Sequence, residues 1–200
     1  MLPMKYNHRV FLFVTLLLIA PGVCAQGSMH PPIGKVPREQ RTEWLKIVKW
    51  PDDCEEAFQK TYGERGTRDF GGLEFYRLQK QQYLVEIACS PGAYQPGSIF
   101  AWYDSITSSA TLLKFKGLES QDDQGKDLPY SEVFGFATYR PKARTLTIFS
   151  KYRGLGDCGF NGLYRFVGKQ PVLIEAREQD CDDNHSRRHI DPRRWPKKRL

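Results

Sequence analysis

No apolar run in this 200-residue chain reaches the roughly 20 residues that a membrane-crossing helix needs. The longest, Val10–Ala20 ("VFLFVTLLLIA"), has eleven. A mean hydropathy of −0.55 likewise excludes a polytopic membrane protein. Histidine is scarce: there are four, and His30 alone falls between residues 26 and 184. A Ser–His or Cys–His catalytic pair inside a core is therefore not expected. No two cysteines stand in a CxxC spacing, which removes thioredoxin-like and zinc-ribbon readings. No internal repeat is found, which removes a solenoid. The chain is nonetheless 40% hydrophobic and 13% aromatic, well above the composition of disordered segments, so it builds a core.

The apolar run is informative for its shortness. Lys5 and Arg9 precede it, no acid accompanies it, and Pro21-Gly22-Val23-Cys24-Ala25 follows. This is the three-part layout of a secretory signal peptide, with cleavage expected after Ala25. Val23 before Cys24 argues against a lipid-bearing cysteine. Residues 1–25 are thus read as a signal, 26–40 as a leader or linker, 41–185 as one domain and 186–200 as a basic tail. The expected location is exported, periplasmic or extracellular, with no membrane span after cleavage.

The net charge of +7 is unevenly spread. Two cations leave with the signal. Residues 182–200 hold seven cations against three acids, leaving the body at +1. A nucleic-acid-binding domain needs a basic stripe of its own, so nucleic acid is not an expected partner. The tail cations Arg193, Arg194, Lys197 and Lys198, with Trp195 among them, are instead candidates for contact with an anionic surface.

Removing Cys24 leaves Cys54, Cys89, Cys158 and Cys181, an even count that in an oxidising compartment reads as two disulfides with three possible connectivities. Pro51 and Asp52-Asp53 suit a helix start. Cys54, Ala57, Phe58, Thr61 and Tyr62 then recur on one helical face, with Gly63 as its expected end. The preceding segment, Arg41 to Trp50, is ambiguous between helix and strand. From Gly72 the period becomes two. Candidate strands are Leu73–Leu78, Gln82–Cys89, Ser98–Asp104, Ala110–Lys116, Ser131–Phe136, Arg144–Tyr152, Gly162–Val167 and Val172–Glu178, separated by turn-formers. The expected class is α+β and mainly β: an antiparallel β-sandwich or barrel-like sheet with a short amphipathic helix near its N-terminus.

Packing the helix stripe on the face that carries Tyr83, Val85, Ile87 and Cys89 brings Cys54 beside Cys89. A closing hairpin turning at Lys169-Gln170 would set Val167 opposite Val172 and Phe166 opposite Leu173. Cys158 and Cys181 would then lie equally far from the turn. Cys54–Cys89 and Cys158–Cys181 are the expected pairs.

Within "YRGLGDCGF", Gly154, Gly156 and Gly159 match a dinucleotide-binding spacing. That fingerprint requires a following helix, and here a hairpin follows; a sharp turn is expected. The cluster Asp180, Asp182, Asp183, His185 and His189 lacks the Glu of a zinc-protease motif and carries Arg187 and Arg188 between its histidines, so no metal is expected. Glu74, Glu86, Glu132, Asp157 and Glu175 lie on or beside strands and are the candidates for a glycosidase-type acid pair.

The stretches "QYLVEIACSPGAYQPGSIFAWYD" (82–104) and "RTLTIFSKYRGLGDCG…LYRFVGKQPVLIEAREQDCD" (144–182) resemble a bacterial family of exported proteins, domain of unknown function 1176, with cyanobacterial members nearest. Trp50 with Cys54-Glu55 and Arg194-Trp195-Pro196 fit the same pattern; Phe160-Asn161-Gly162 departs from it. The resemblance implies an envelope location and a β-rich fold, and supplies no catalytic residue. The function expected is non-enzymatic: an exported protein that binds an unknown envelope component or exported partner without a cofactor. A polymer hydrolase using paired carboxylates and a structural protein held by its basic tail are the alternatives.

Overall fold

The computed structural model describes residues 31–65, 71–181 and 191–200. The expected signal peptide, residues 1–25, therefore lies outside the described residues, as do Asp182, Asp183, His185 and His189. The described residues form three layers: two helices, a six-stranded sheet and a four-stranded sheet. The protein is mainly β, and the two antiparallel sheets are separate and do not close into a barrel.

The ambiguous segment is helix α1, Arg41–Val48, which buries Arg41, Trp44 and Val48 along one stripe. It ends at Lys49, whose left-handed backbone (φ 59°) donates its N–H to the Leu45 carbonyl at 2.8 Å. Helix α2, Asp52–Arg65, starts where Pro51 and the acids Asp52, Asp53 and Glu55 suit its N-terminal turn. It runs two residues past Gly63 rather than ending there, since a single glycine weakens a helix without breaking it.

The first sheet contains β1 (Gly34–Lys35), β2 (Leu73–Gln79), β3 (Gln82–Ser90), β4 (Gly97–Asp104), β5 (Ser109–Leu112) and β6 (Glu132–Phe134). Its order is β1-β2-β3-β4-β5, with β6 on β4 beside β5. The segment read as a leader thus contributes an edge strand, and Val36 is buried. Helices cover one face of this sheet and the second sheet covers the other. Strand β4 is accordingly buried from Gly97 to Tyr103 and reads as an apolar run from Ile99 onward. Trp44, Phe58, Phe75, Val85 and Ile87 are buried on the helix side; Leu84, Phe100, Trp102, Phe115 and Tyr164 fill the space between the sheets.

The second sheet, in the order β10-β9-β8-β7, holds β7 (Phe136–Arg140), β8 (Thr145–Lys151), β9 (Gly159–Val167) and β10 (Gln170–Gln179). The expected single strand Ser131–Phe136 is in fact two: Glu132–Phe134 pairs with β4 and Phe136–Arg140 with β8. Gly135 alone carries the chain between sheets, passing so close to β8 that a Cβ there would sit 2.5 Å from the Phe149 carbonyl oxygen. The closing hairpin also differs in register. It turns at Gly168-Lys169, so Val167 faces Gln170 and Phe166 faces Pro171, with a bulge between Leu173 and Glu175. Gly168 has φ 58°, the conformation that favours glycine at this turn.

Candidate functional site

Both expected disulfides form: Cys54–Cys89 joins α2 to β3, and Cys158–Cys181 joins the start of β9 to the end of β10. The shifted register still brings the second pair together, because Gln179 opposes Gly159.

The glycine stretch lies between β8 and β9. Gly154 and Leu155 form its turn, and the Gly156 N–H donates to the Arg153 carbonyl at 3.0 Å. Arg153 grips Asp157 through two hydrogen bonds of 2.8 and 2.5 Å, and Gln95 brackets Lys151 by donating to its carbonyl and accepting from its N–H. At Gly159, φ is 150° and a Cβ would lie 2.1 Å from the Ser150 carbonyl oxygen. Strand β9 follows directly, where the dinucleotide fingerprint would place a helix.

The strand carboxylates fall into three settings. Glu74 and Glu86 are direct cross-strand partners. Glu86 accepts from the Tyr76 hydroxyl at 3.1 Å and from Ser98 at 3.4 Å, on the face turned to the second sheet. Burial pushes its carboxyl up to about 7; the Tyr76 hydrogen bond opposes this, the Glu74 charge adds to it, and Ser98 opposes it. Glu132 shares a cleft of about 190 Å³ with Asp53, beside Cys54–Cys89 and the half-exposed ring of Phe134. Burial and then the Asp53 charge raise the Glu132 carboxyl above its ordinary value. Asp157 and Glu175 are bound to arginines, Asp157 to Arg153 and Glu175 to Arg177 at 2.7 Å.

A larger cleft, about 480 Å³, opens on the outer face of the second sheet. Thr147, Phe149, Asn161 and Leu163 form its floor and Arg140 one rim, while Asp191, Pro192 and Arg193 wall it. The wall exists because the C-terminal segment folds back on β10. Glu178 and Lys198 donate their N–H groups to the carbonyls of Pro196 and Ala176. Trp195 does not reach a surface partner, as the sequence suggested. It is 1% exposed, its ring centroid lies 5.6 Å from that of Phe149, and its carbonyl accepts from Arg177 at 2.9 Å. The other tail candidates divide: Arg193 is clamped on Asp191 at 2.8 Å, Lys197 lies 3.7 Å from Glu175, Lys198 bonds Glu178, and Arg194 is exposed. Hydrogen bonds from Arg193 hold the Asp191 carboxyl down to about 2, and the bond from Arg177 holds Glu175 below the usual carboxylate range.

Arg41 was missed in the sequence. Its side chain is 2% exposed, yet it bonds Glu55 at 2.8 Å and the carbonyls of Gly71 and Ala88, and its guanidinium lies 3.6 Å from the Phe58 ring centroid. An arginine near a helix start carries no local mark of burial. The cleft was missed as well, although Arg140-x-Lys142-x-Arg144 without a neighbouring acid was a usable sign of a basic rim.

Among the described residues no helix is long and apolar enough to cross a membrane, and no group of three metal-ligating side chains comes together. Residues 20–198 match the family described as "Protein of unknown function (DUF1176)". The uncharacterized protein YpfG of Escherichia coli (strain K12) is 31% identical over 120 residues, covering 60% of this chain and 32% of that protein. The chain thus spans about a third of the length of this relative. No solved structure matches.

Proposed function

We propose, on the premise that this chain belongs to the DUF1176 family of proteins of unknown function, that it is an exported binding module of the bacterial envelope. It works without catalysis or a cofactor, and its ligand sits in the 480 Å³ cleft on the second sheet. Export is supported by the layout of residues 1–25 and by four cysteines paired as two disulfides.

One observation carries the binding reading. Both acids that line the cleft are committed to arginines, Glu175 to Arg177 and Asp191 to Arg193. A general acid must give up a proton near the working pH. These two stay ionised, so the cleft is equipped to hold a ligand and not to transfer protons to it.

The test is a photo-crosslinking amino acid placed at position 147, on the cleft floor, in the cells that make the protein. A discrete adduct is expected from position 147 and none from position 80, on the distant β2–β3 turn. Equal labelling from both positions, or none from either, overturns the reading.

A second reading rests on Asp53 and Glu132, which share the smaller cleft, Glu132 half-buried with its carboxyl raised and Asp53 exposed. If the protein hydrolyses an envelope polymer, Glu132→Gln abolishes release of reducing sugar. Activity that survives Glu132→Gln removes this pair.

A further inference from the structure

We propose that the cleft on the second sheet binds a glycan bearing carboxylates, gripped by Arg140 and Arg165. This inference rests on the binding-module reading above and names its ligand class.

The sheet register supplies the argument. Arg140 of β7 opposes Thr145 of β8, which opposes Arg165 of β9. The three residues form one row on the outer face. The next row is Thr138, Thr147, Leu163 and Glu175; the one after is Phe136, Phe149, Asn161 and Arg177. The C-terminal segment closes the cleft at this last row, with Trp195 packed on Phe149. The basic row stays open at the other end.

Charge decides what the open end wants. Arg177 and Arg193 already have carboxylate partners, whereas Arg140 and Arg165 are exposed and make no ion pair among the described residues. Lys142 and Arg144, in the adjoining turn, add two more exposed cations, and no acid occurs between Tyr139 and Leu155. A guanidinium recognises a carboxylate or phosphate by a planar pair of hydrogen bonds. Here two of them stand one strand apart, about 10 Å between backbones at the usual strand spacing. That separation suits anions repeated along an extended chain better than a single phosphate.

The floor decides between a glycan and a membrane. Thr147 and Asn161 offer a hydroxyl and an amide, which pair with sugar hydroxyls, and Phe149 and Leu163 give a small apolar area for a ring face. These four are only partly exposed, recessed below a rim that includes Arg140 and the 85%-exposed side chain of Arg193. A flat bilayer touches such a rim and leaves the floor unused; a chain one sugar wide enters it.

The experiment is calorimetric titration of the mature, oxidised protein with a hexamer of galacturonic acid, a neutral maltohexaose, and vesicles containing one-third phosphatidylglycerol. The expected result is binding of the acidic hexamer that weakens at least tenfold between 50 and 300 mM salt and at least thirtyfold in Arg140→Gln/Arg165→Gln. Both positions are exposed, so the double variant should keep the wild-type melting temperature. Failure of the acidic hexamer to bind, equal binding of maltohexaose, or binding unchanged in the double variant overturns the ligand class. Vesicle binding abolished by the same two substitutions also overturns it, in favour of a lipid surface. The position-147 adduct separates the two levels: with an adduct but no hexamer binding, the module stands and the ligand falls, whereas both fall if neither is seen.

Discussion

Glu86 faces the inter-sheet core opposite Glu74, where an ionised carboxylate loses much of its hydration. Its folded-state value, about 7, lies above the 4.5 of an unperturbed glutamate. The sign follows from linkage: the folded state binds the proton more tightly, so its relative stability is fullest below about 4.5 and is lost as pH rises through about 7. Glu86→Gln, neutral and able to keep the Tyr76 and Ser98 contacts, should flatten that fall and make the protein more stable by up to about 3 kcal/mol at pH 8. Urea unfolding at pH 4, 7 and 8 measures it; a variant with the wild-type pH slope places the titration elsewhere. Arg41 carries the opposite risk. Burial pushes Glu55 upward, but the bond from Gln59, the charge of Arg41 and the bond from Trp50 outweigh it. Arg41→Met strands that carboxylate and should cost about 3 to 5 kcal/mol, most of it regained in Arg41→Met/Glu55→Gln. Neither effect was legible locally. The alternation of β3 marks Glu86 only as off the helix-side face, and whether that face meets water or another sheet is not written in the strand.

The glycine loop between β8 and β9 shows which parts of an element are conformationally required. Gly159 sits where any Cβ collides with the Ser150 carbonyl oxygen, while a Cβ at Gly154 meets only Tyr94 at 3.9 Å. Gly159→Ala should therefore lower the melting temperature by several degrees and Gly154→Ala should leave it nearly unchanged; equal effects would mean the loop rearranges freely. The nearby Cys158–Cys181 link closes a 23-residue separation. On the chain-entropy view Cys158→Ser/Cys181→Ser costs about 3 kcal/mol, read from denaturant midpoints. The helix stripe and strand alternation were enough to anticipate Cys54–Cys89, and the symmetry of the closing hairpin to anticipate Cys158–Cys181. They were not enough for the hairpin register, because the bulge between Leu173 and Glu175 shifts the pairing without altering the spacing of apolar residues along the strand. Gly135 escaped for a similar reason: a strand that changes sheets keeps the same local alternation on both sides of the crossing.

At the scale of the molecule, the chain is a β-sandwich with helices on one side, pinned by one disulfide on the helix side and one at the end of the second sheet. If it is exported as proposed, mass spectrometry of the mature protein should find Gln26 at its N-terminus and no free thiol; a retained Met1 or a free Cys158 would sink that reading. Its mainly β class, four paired cysteines and family pattern were determined by the sequence itself, since periodicity, turn-formers and cysteine parity are properties of short stretches. The tertiary structure alone decided that Trp195 would be buried on Phe149 and not displayed, and that Arg140 and Arg165 would share a face. It likewise placed Asp53 beside Glu132. Each of those outcomes depends on register and layer stacking, which join residues far apart in the chain and are settled only when the whole core packs.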